Sequence, residues 1–330
     1  IVCPASLIYN WENEVRRFAL TGTPIENRLS DLYSIFDFVM PGYLKDYDSF
    51  KTDYEIPIVQ QQDETKLVRL QRFVHPFILR RKKEEVLKDL PPKMEHVIYV
   101  RMTGKQRELY NARLSLLRME LAKKTEKEWK EDRLKILADL TRLRQICCAP
   151  DICYENYDGG SGKMDTCMEL IEEAVEGEHR ILVFSQFVTV LNKIGQKLRT
   201  RNIPFLFLSG KNTKEERRRM VEEFQKEQVP VFLISLKAGG TGLNLTAADV
   251  VIHVDPWWNG AIENQATDRA YRIGQIRALS VMKLVTKDSI EEKIIRLQEK
   301  KAELADRVVS GEGMTNNILD RAELLELLDF

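Results

Sequence analysis

Between positions 180 and 286, short apolar runs alternate with segments of helical period, and this alternation limits the fold more than any other feature. The runs are RILVFS (Arg180–Ser185), PFLFLS (Pro204–Ser209), VFLISL (Val231–Leu236), DVVIHV (Asp249–Val254) and SVMKLV (Ser280–Val285). Such strands have no solvent face, which predicts a parallel sheet covered by helices on both sides. The helices are read at Val190–Leu198, at TKEERRRMVEEFQKE and from Asn259 onward. Thr213 with Glu216, and Ser289 with Glu292, have the spacing of capping boxes. The second opens IEEKIIRLQEKKAELADRVV, where Glu292 and Arg296 are spaced to support one turn. In open sheets of this kind ligands sit at the carboxyl ends of the strands. Those ends carry Ser185-Gln186, Ser209-Gly210, the run Leu236–Gly240 and Asp255-Pro256.

Upstream the pattern changes. Leu109, Leu114, Leu117 and Leu121, then Leu134, Ile136, Leu137, Leu140 and Leu143, recur at near-helical spacing. One strand candidate, His96–Val100, follows the breaker Pro91-Pro92. The expected division is a mixed segment 1–56, a helical region 57–160 and the sheet region 161–330, whose RAELLELLDF ending reads as a short amphipathic helix. Ile1-Val2-Cys3-Pro4 reads as the end of a buried strand, so the chain is expected to begin inside a longer protein.

Composition narrows the partners. The 330 residues hold 51 basic and 51 acidic side chains, so nucleic acid could be met only through local patches. No apolar run is long enough to cross a bilayer. Five cysteines without a C-x-x-C pair read as reduced, intracellular thiols rather than zinc ligands. His253 lies among apolar neighbours and reads as a core histidine, and the run Arg80–Lys83 as a solvated face or a backbone contact.

YDGGSGKMD, beginning at Tyr157, imitates a phosphate-binding loop. The motif requires G-x-x-x-x-G-K-[ST]. Here Tyr157 stands at the first glycine position, Met164 replaces the hydroxyl residue, and no apolar strand leads in. Gly159–Gly162 therefore reads as a flexible, hinge-like linker, and Lys163 as a residue in the first turn of the helix that follows.

LTGTPIEN (Leu20–Asn27), FSQF (Phe184–Phe187), SLKAGGTGLNLTAADVVIHVDPWWN (Ser235–Asn259) and QATDRAYRIGQ (Gln265–Gln275) occur in that order. With RRKKEEVLKDLPPK, TRLRQICCAP and SIEEKIIRLQEKK, they closely resemble the Swi/Snf-type DNA-translocating ATPases of helicase superfamily two. The resemblance covers nearly the whole chain. It implies an α/β fold with a RecA-like parallel sheet, and an enzyme that uses ATP and Mg to move along double-stranded DNA through backbone contacts. Arg269 and Arg272, three apart, are expected to share one helix face and to act as arginine fingers on the transferring phosphoryl group. Gly240, Thr241, Gly242 and Gln265 are the implied nucleotide contacts. Thr21, Gly22, Thr23, Ser185, Gln186, Lys237, Asn244 and Trp257 are the implied DNA contacts; Trp257 and Trp258 could stack on bases, but in such a turn they read more readily as packing anchors. Gly260 and Tyr271 stand where many relatives have Pro and His.

The resemblance also exposes a gap. VRRF (Val15–Phe18) runs directly into ALTGTP, and neither a phosphate loop nor a D-E-x-H sequence occurs in the 330 residues. The expectation is a complete second lobe with a remnant first lobe, poorly covered apolar surface over residues 1–50, and no ATP hydrolysis or tight ATP and Mg binding by this chain alone. A non-enzymatic DNA- or partner-binding module derived from such an enzyme is the alternative.

Overall fold

A computed structural model describes residue 19 and residues 29–60, 63–79, 86–87, 89–124, 128, 131–226, 228–239 and 243–299. The chain forms two compact units that divide between Arg80 and Arg81.

The described part of the first unit is helical: α1 (Leu29–Val39), α2 (Tyr47–Phe50), a π turn (Lys51–Glu55), α3 (Ile56–Gln60) and α4 (Glu64–Val74). Asp46 and Asp63 cap α2 and α4 by accepting backbone N–H bonds. Leu29, Leu32, Phe36, Leu44, Phe50, Leu67 and Leu70 form its core. Phe38, Tyr43, Tyr47, Phe73, Phe77 and Leu79 remain exposed. Of the apolar surface expected over 1–50, only residue 19 and residues 29–50 can be described, and over 29–50 a packed core and exposed rings coexist.

The second unit contains β1 (Lys93–Val100), α5 (Gly104–Ala122), α6 (Arg133–Cys148), α7 (Gly162–Glu176), β2 (Ile181–Ser185), α8 (Val188–Thr200), β3 (Phe205–Leu208) and α9 (Lys214–Gln225). It continues through β4 (Val231–Ser235), α10 (Leu236–Gly239), β5 (Val250–His253), α11 (Gly260–Thr267), β6 (Leu279–Thr286) and a final helical stretch, α12, from 290 to 299. The six strands form one sheet in the order β1-β6-β5-β2-β4-β3, and every pairing is parallel.

Burial explains the runs. Ile181, Val183, Val231, Leu233, Val250 and Ile252 pack on one face of the sheet, beneath α7 and α8. Leu182, Phe184, Phe232, Ile234 and Val251 pack on the other, with Met220 and Phe224 of α9. Each such side chain contributes on the order of 1.5–3 kcal/mol when fully buried. Thr213 and Glu216 form the expected capping box on α9.

Two local readings need correction. The strand after Pro91-Pro92 is not a lone interruption: β1 is an edge of this sheet, in register with β6 from Lys93–Leu279 to Val100–Thr286. The compact unit thus takes in β1, α5 and α6 together with residues beyond 160. At the start of α12, Ser289 Oγ accepts from Glu291 N, and it is the Glu291 carboxylate that reaches back, to Thr286 N (2.8 Å).

Candidate functional site

All six strands point the same way, so their carboxyl ends share one edge of the sheet. There β2 ends at Ser185 and β5 leads into Asp255-Pro256-Trp257-Trp258. Ser185 is fully buried; its hydroxyl donates to Asp255 and accepts from Phe187 N at 3.0 Å. Gln186 N donates to the same carboxylate at 3.3 Å, and Gln186 Oε1 accepts from Arg144 Nη1 at 3.1 Å. The Gln186 Nε2 atom is buried and makes no hydrogen bond. The two residues named from the sequence as phosphate donors are therefore turned inward, because a buried aspartate and a buried arginine take their polar groups first.

Trp257 is half-buried. Its N–H donates to the Glu263 carboxylate, and its carbonyl accepts from Gln298 of α12. The packing-anchor reading fits this placement better than an open stacking surface. Burial, the largest effect, pushes both Asp255 and Glu263 up from the ordinary carboxylate range, against Arg144 for the first and the Trp257 amide for the second.

The arginines occupy a different place. α11 ends at Thr267, so Arg269 and Arg272 lie in the turns that follow and not on one helix face. Tertiary hydrogen bonds set their positions: Arg269 O accepts from Leu245 N (2.9 Å), and Arg272 Nη1 donates to Leu243 O (3.0 Å). These contacts lie toward the amino ends of β5 and β6. Arg269 is buried, at 8% exposure. Burial lowers its pKa from the usual value, and the neighbouring Arg272 charge adds to this. Two cations that disfavour each other in a desolvated setting gain most from an anion placed between them. Arg272 also lines a shallow depression of about 380 Å³ with Leu87, Asn244 and Ile273.

Gln265 is exposed on α11, Lys237 on α10, and Asn244 after the glycine loop, where its carbonyl accepts from Gln225 (3.1 Å). Gly240, Thr241, Gly242, Thr21, Gly22, Thr23, the run Arg80–Lys83 and the RAELLELLDF ending lie outside the described residues. His253 is a core residue: it stacks on Phe184 and bonds Thr267 Oγ1 at 2.9 Å. Cys147, Cys148 and Cys167 are buried, and burial raises each thiol from its ordinary value. Among the described residues no group of three or more His, Cys, Asp or Glu is placed to hold a metal ion, and no helix is long and apolar enough to cross a membrane.

The GGSGKMD segment, read from the sequence as a flexible linker, is tied to its neighbours by hydrogen bonds. Thr103 Oγ1 donates to Gly159 O at 2.8 Å, Tyr157 Oη to Gly160 O at 2.9 Å, and Ser161 Oγ to Cys148 O at 2.6 Å. Lys163 is buried in an ion pair with Glu291.

Sequence reasoning placed Asp255 at a strand end but missed Arg144, Glu263 and Gln298. A signal existed for Arg144: it falls among Leu140, Leu143, Ile146 and Cys147, the buried face of α6.

This is the architecture of a RecA-like α/β lobe of the helicase type. Residues 15–152 match the model of the SNF2-related domain, and residues 162–274 that of the helicase conserved C-terminal domain. The chain is 38% identical over 313 residues to the uncharacterized ATP-dependent helicase MG018 of Mycoplasma genitalium, covering 94% of this chain and 30% of that protein. To the human SWI/SNF-related matrix-associated actin-dependent regulator of chromatin subfamily A member 1 it is 32% identical over 329 residues, covering 94% and 31%. Among solved structures it is similar to the Sulfolobus solfataricus SWI2/SNF2 ATPase core in complex with dsDNA, at 38% identity and a TM-score of 0.56, covering 89% of this chain and 63% of that one. The chain belongs to the SWI2/SNF2 family of ATP-dependent helicase-like proteins. It spans about a third of the length of the curated relatives it matches.

Proposed function

We propose that this chain supplies the second RecA-like lobe of a DNA-dependent ATPase that translocates on double-stranded DNA and remodels protein–DNA complexes. The carrying observation is the pairing of the two arginines with Leu243 and Leu245, the segment that leaves the Gly240–Gly242 loop. A ligand bound at that loop and charge developing beside Arg269 and Arg272 would then act on one hydrogen-bonded unit. In this reading the guanidiniums stabilise a transferring phosphoryl group, with Gln265 and the glycine loop as nucleotide contacts. Lys237 and Asn244 meet the DNA backbone with Thr21, Gly22 and Thr23, fixing register without reading bases. The location is intracellular, where duplex DNA and ATP are found.

We further propose that these 330 residues alone hydrolyse no ATP. Phosphoryl transfer needs a lysine and hydroxyl on the phosphates and an acidic residue at the metal. The sequence has neither motif, and among the described residues no group of three or more His, Cys, Asp or Glu is placed to hold a metal ion.

Phosphate release from the purified chain, with and without duplex DNA, tests both parts. Salt-dependent duplex binding with background release is expected. DNA-stimulated release abolished by Arg269→Ala would overturn the second part. Fusing a first-lobe segment that carries a phosphate loop and an acidic box should give DNA-stimulated release that Arg269→Ala removes. Release that stays at background in the fusion, with duplex binding intact, would favour a binding module without enzymatic activity.

A further inference from the structure

The Arg144 side chain is 1% exposed, although it belongs to α6, a helix with no assigned role. Burying a guanidinium is costly unless its geometry is satisfied on several sides. Nη1 donates to Gln186 Oε1 at 3.1 Å, Nη2 donates to Pro256 O, and Nη2 lies 3.6 Å from Asp255 Oδ2. The guanidinium carbon is 5.6 Å from the Phe187 ring centre, 5.9 Å from that of Trp257 and 5.1 Å from that of Trp258. A single planar fork thus touches the turn after β2 and the turn after β5, while the rings exclude water. The second turn continues to α11 through Trp257 N and Glu263, and to α12 through Gln298.

We propose that Arg144 is a positioning residue that clasps the Ser185-Gln186 turn to the Asp255–Trp258 turn, and that Ser185 and Gln186 serve DNA binding through this clasp rather than by touching phosphate. The proposal rests on the DNA-binding reading above. Arg144 cannot itself meet a phosphate while buried. Gln186 gives its acceptor to Arg144 and turns its donor inward, so its contribution passes through the arginine. Lysine cannot replace the fork, because an ammonium lacks the fixed planar donors that reach Gln186 and Pro256 together.

The test uses the full chain as wild type, Arg144→Lys, Gln186→Ala and the double variant, each checked for a cooperative thermal transition. Anisotropy of a labelled mixed-sequence duplex is measured across salt concentrations, and the indole N–H signals of Trp257 and Trp258 are followed by NMR. Arg144→Lys is expected to shift both indole signals and to weaken binding about tenfold, with an unchanged salt slope, since no phosphate contact is lost. In the Gln186→Ala background the same change should cost less than about twofold, because coupled neighbours are not additive. Additive losses, a salt slope reduced by about one, or unmoved indole signals would each overturn the clasp. If the wild type fails to bind duplex, the DNA reading falls, and the indole signals still decide whether Arg144 holds the two turns.

Discussion

Lys163 and Glu291 are 128 positions apart and form an ion pair closed to solvent at both ends, with side chains 1% and 0% exposed. Lys163 Nζ also donates to Leu284 O (3.3 Å), and Glu291 accepts from Thr286 N (2.8 Å), so the pair ties the start of α7 to the end of β6 and to α12. Burial, the largest single effect, opposes the Lys163 charge, but Glu291 together with Cys148 and Cys147 leaves the lysine above its ordinary value. Removing one partner strands a buried charge, at a cost of about 3–5 kcal/mol. Lys163→Met should lower unfolding free energy by that amount in urea titrations. Lys163→Met with Glu291→Leu should recover much of it. A lysine serving phosphate would instead lose nucleotide binding with stability intact.

His253 predicts an acid-sensitive link. Burial, and then the Lys283 charge, hold it down to about 3, against an ordinary 6.5. The folded state therefore keeps it neutral while the unfolded chain protonates. Its contribution is complete above pH 6.5 and is lost as pH falls from 6.5 toward 3, by up to about 1.4 kcal/mol per pH unit. In His253→Asn this slope should disappear from the stability profile between pH 6.5 and 5, whatever the variant costs at neutral pH. An unchanged slope would assign the acid sensitivity to other groups.

The edge strand offers a milder case with the same sign. Glu95 on β1 meets Lys93 at 2.8 Å and Lys283 of β6 at 3.0 Å. Burial alone would raise Glu95, but the two lysines bring it to about 2, against an ordinary 4.5. The bridge stabilises above pH 4.5 and weakens as pH falls toward 2. Because the carboxylate is about one-third exposed, solvent screening reduces its worth, and Glu95→Gln should cost about 1 kcal/mol or less at pH 7. That difference should narrow between pH 4.5 and 3, and faster amide exchange in β1 should accompany it at neutral pH.

These predictions rest on parts of the molecule that were unequally legible. The strands were readable because burial on both faces removes polar alternation, as in Ile181–Ser185 and Val231–Ser235. Helix periods and the Thr213 cap depend on neighbours within four residues, and they formed as the spacing implied. Thr103 with Gln106 forms an equally local capping box that sequence reading passed over. Long-range electrostatics were not readable. The spacing of Arg269 and Arg272 suggests a helix face, but Leu243 and Leu245, more than twenty positions earlier, capture both residues in turns. Arg144 and Lys163 look like surface charges until Pro256 and Glu291 arrive from distant sequence.

Gly162 carries the sharpest test of why GGSGKMD resembles a phosphate loop. A Cβ on Gly162 would lie 2.2 Å from Arg101 O, backbone that cannot swing aside, and one on Gly159 would lie 2.4 Å from Tyr157 Oη. Gly160 has φ of +72°, a left-handed conformation that favours glycine. The glycines thus let the chain pass close to the β1–α5 connection, with Ser161 capping α7 through Met164 N. Gly162→Ala should force the α7 start away from Arg101 and destabilise the unit by about 1–3 kcal/mol. Alanine is otherwise the better helix former, so a context without the clash would give a gain. The urea midpoint of the variant decides between them, and a stabilised or neutral Gly162→Ala would show that close packing is not what keeps glycine here.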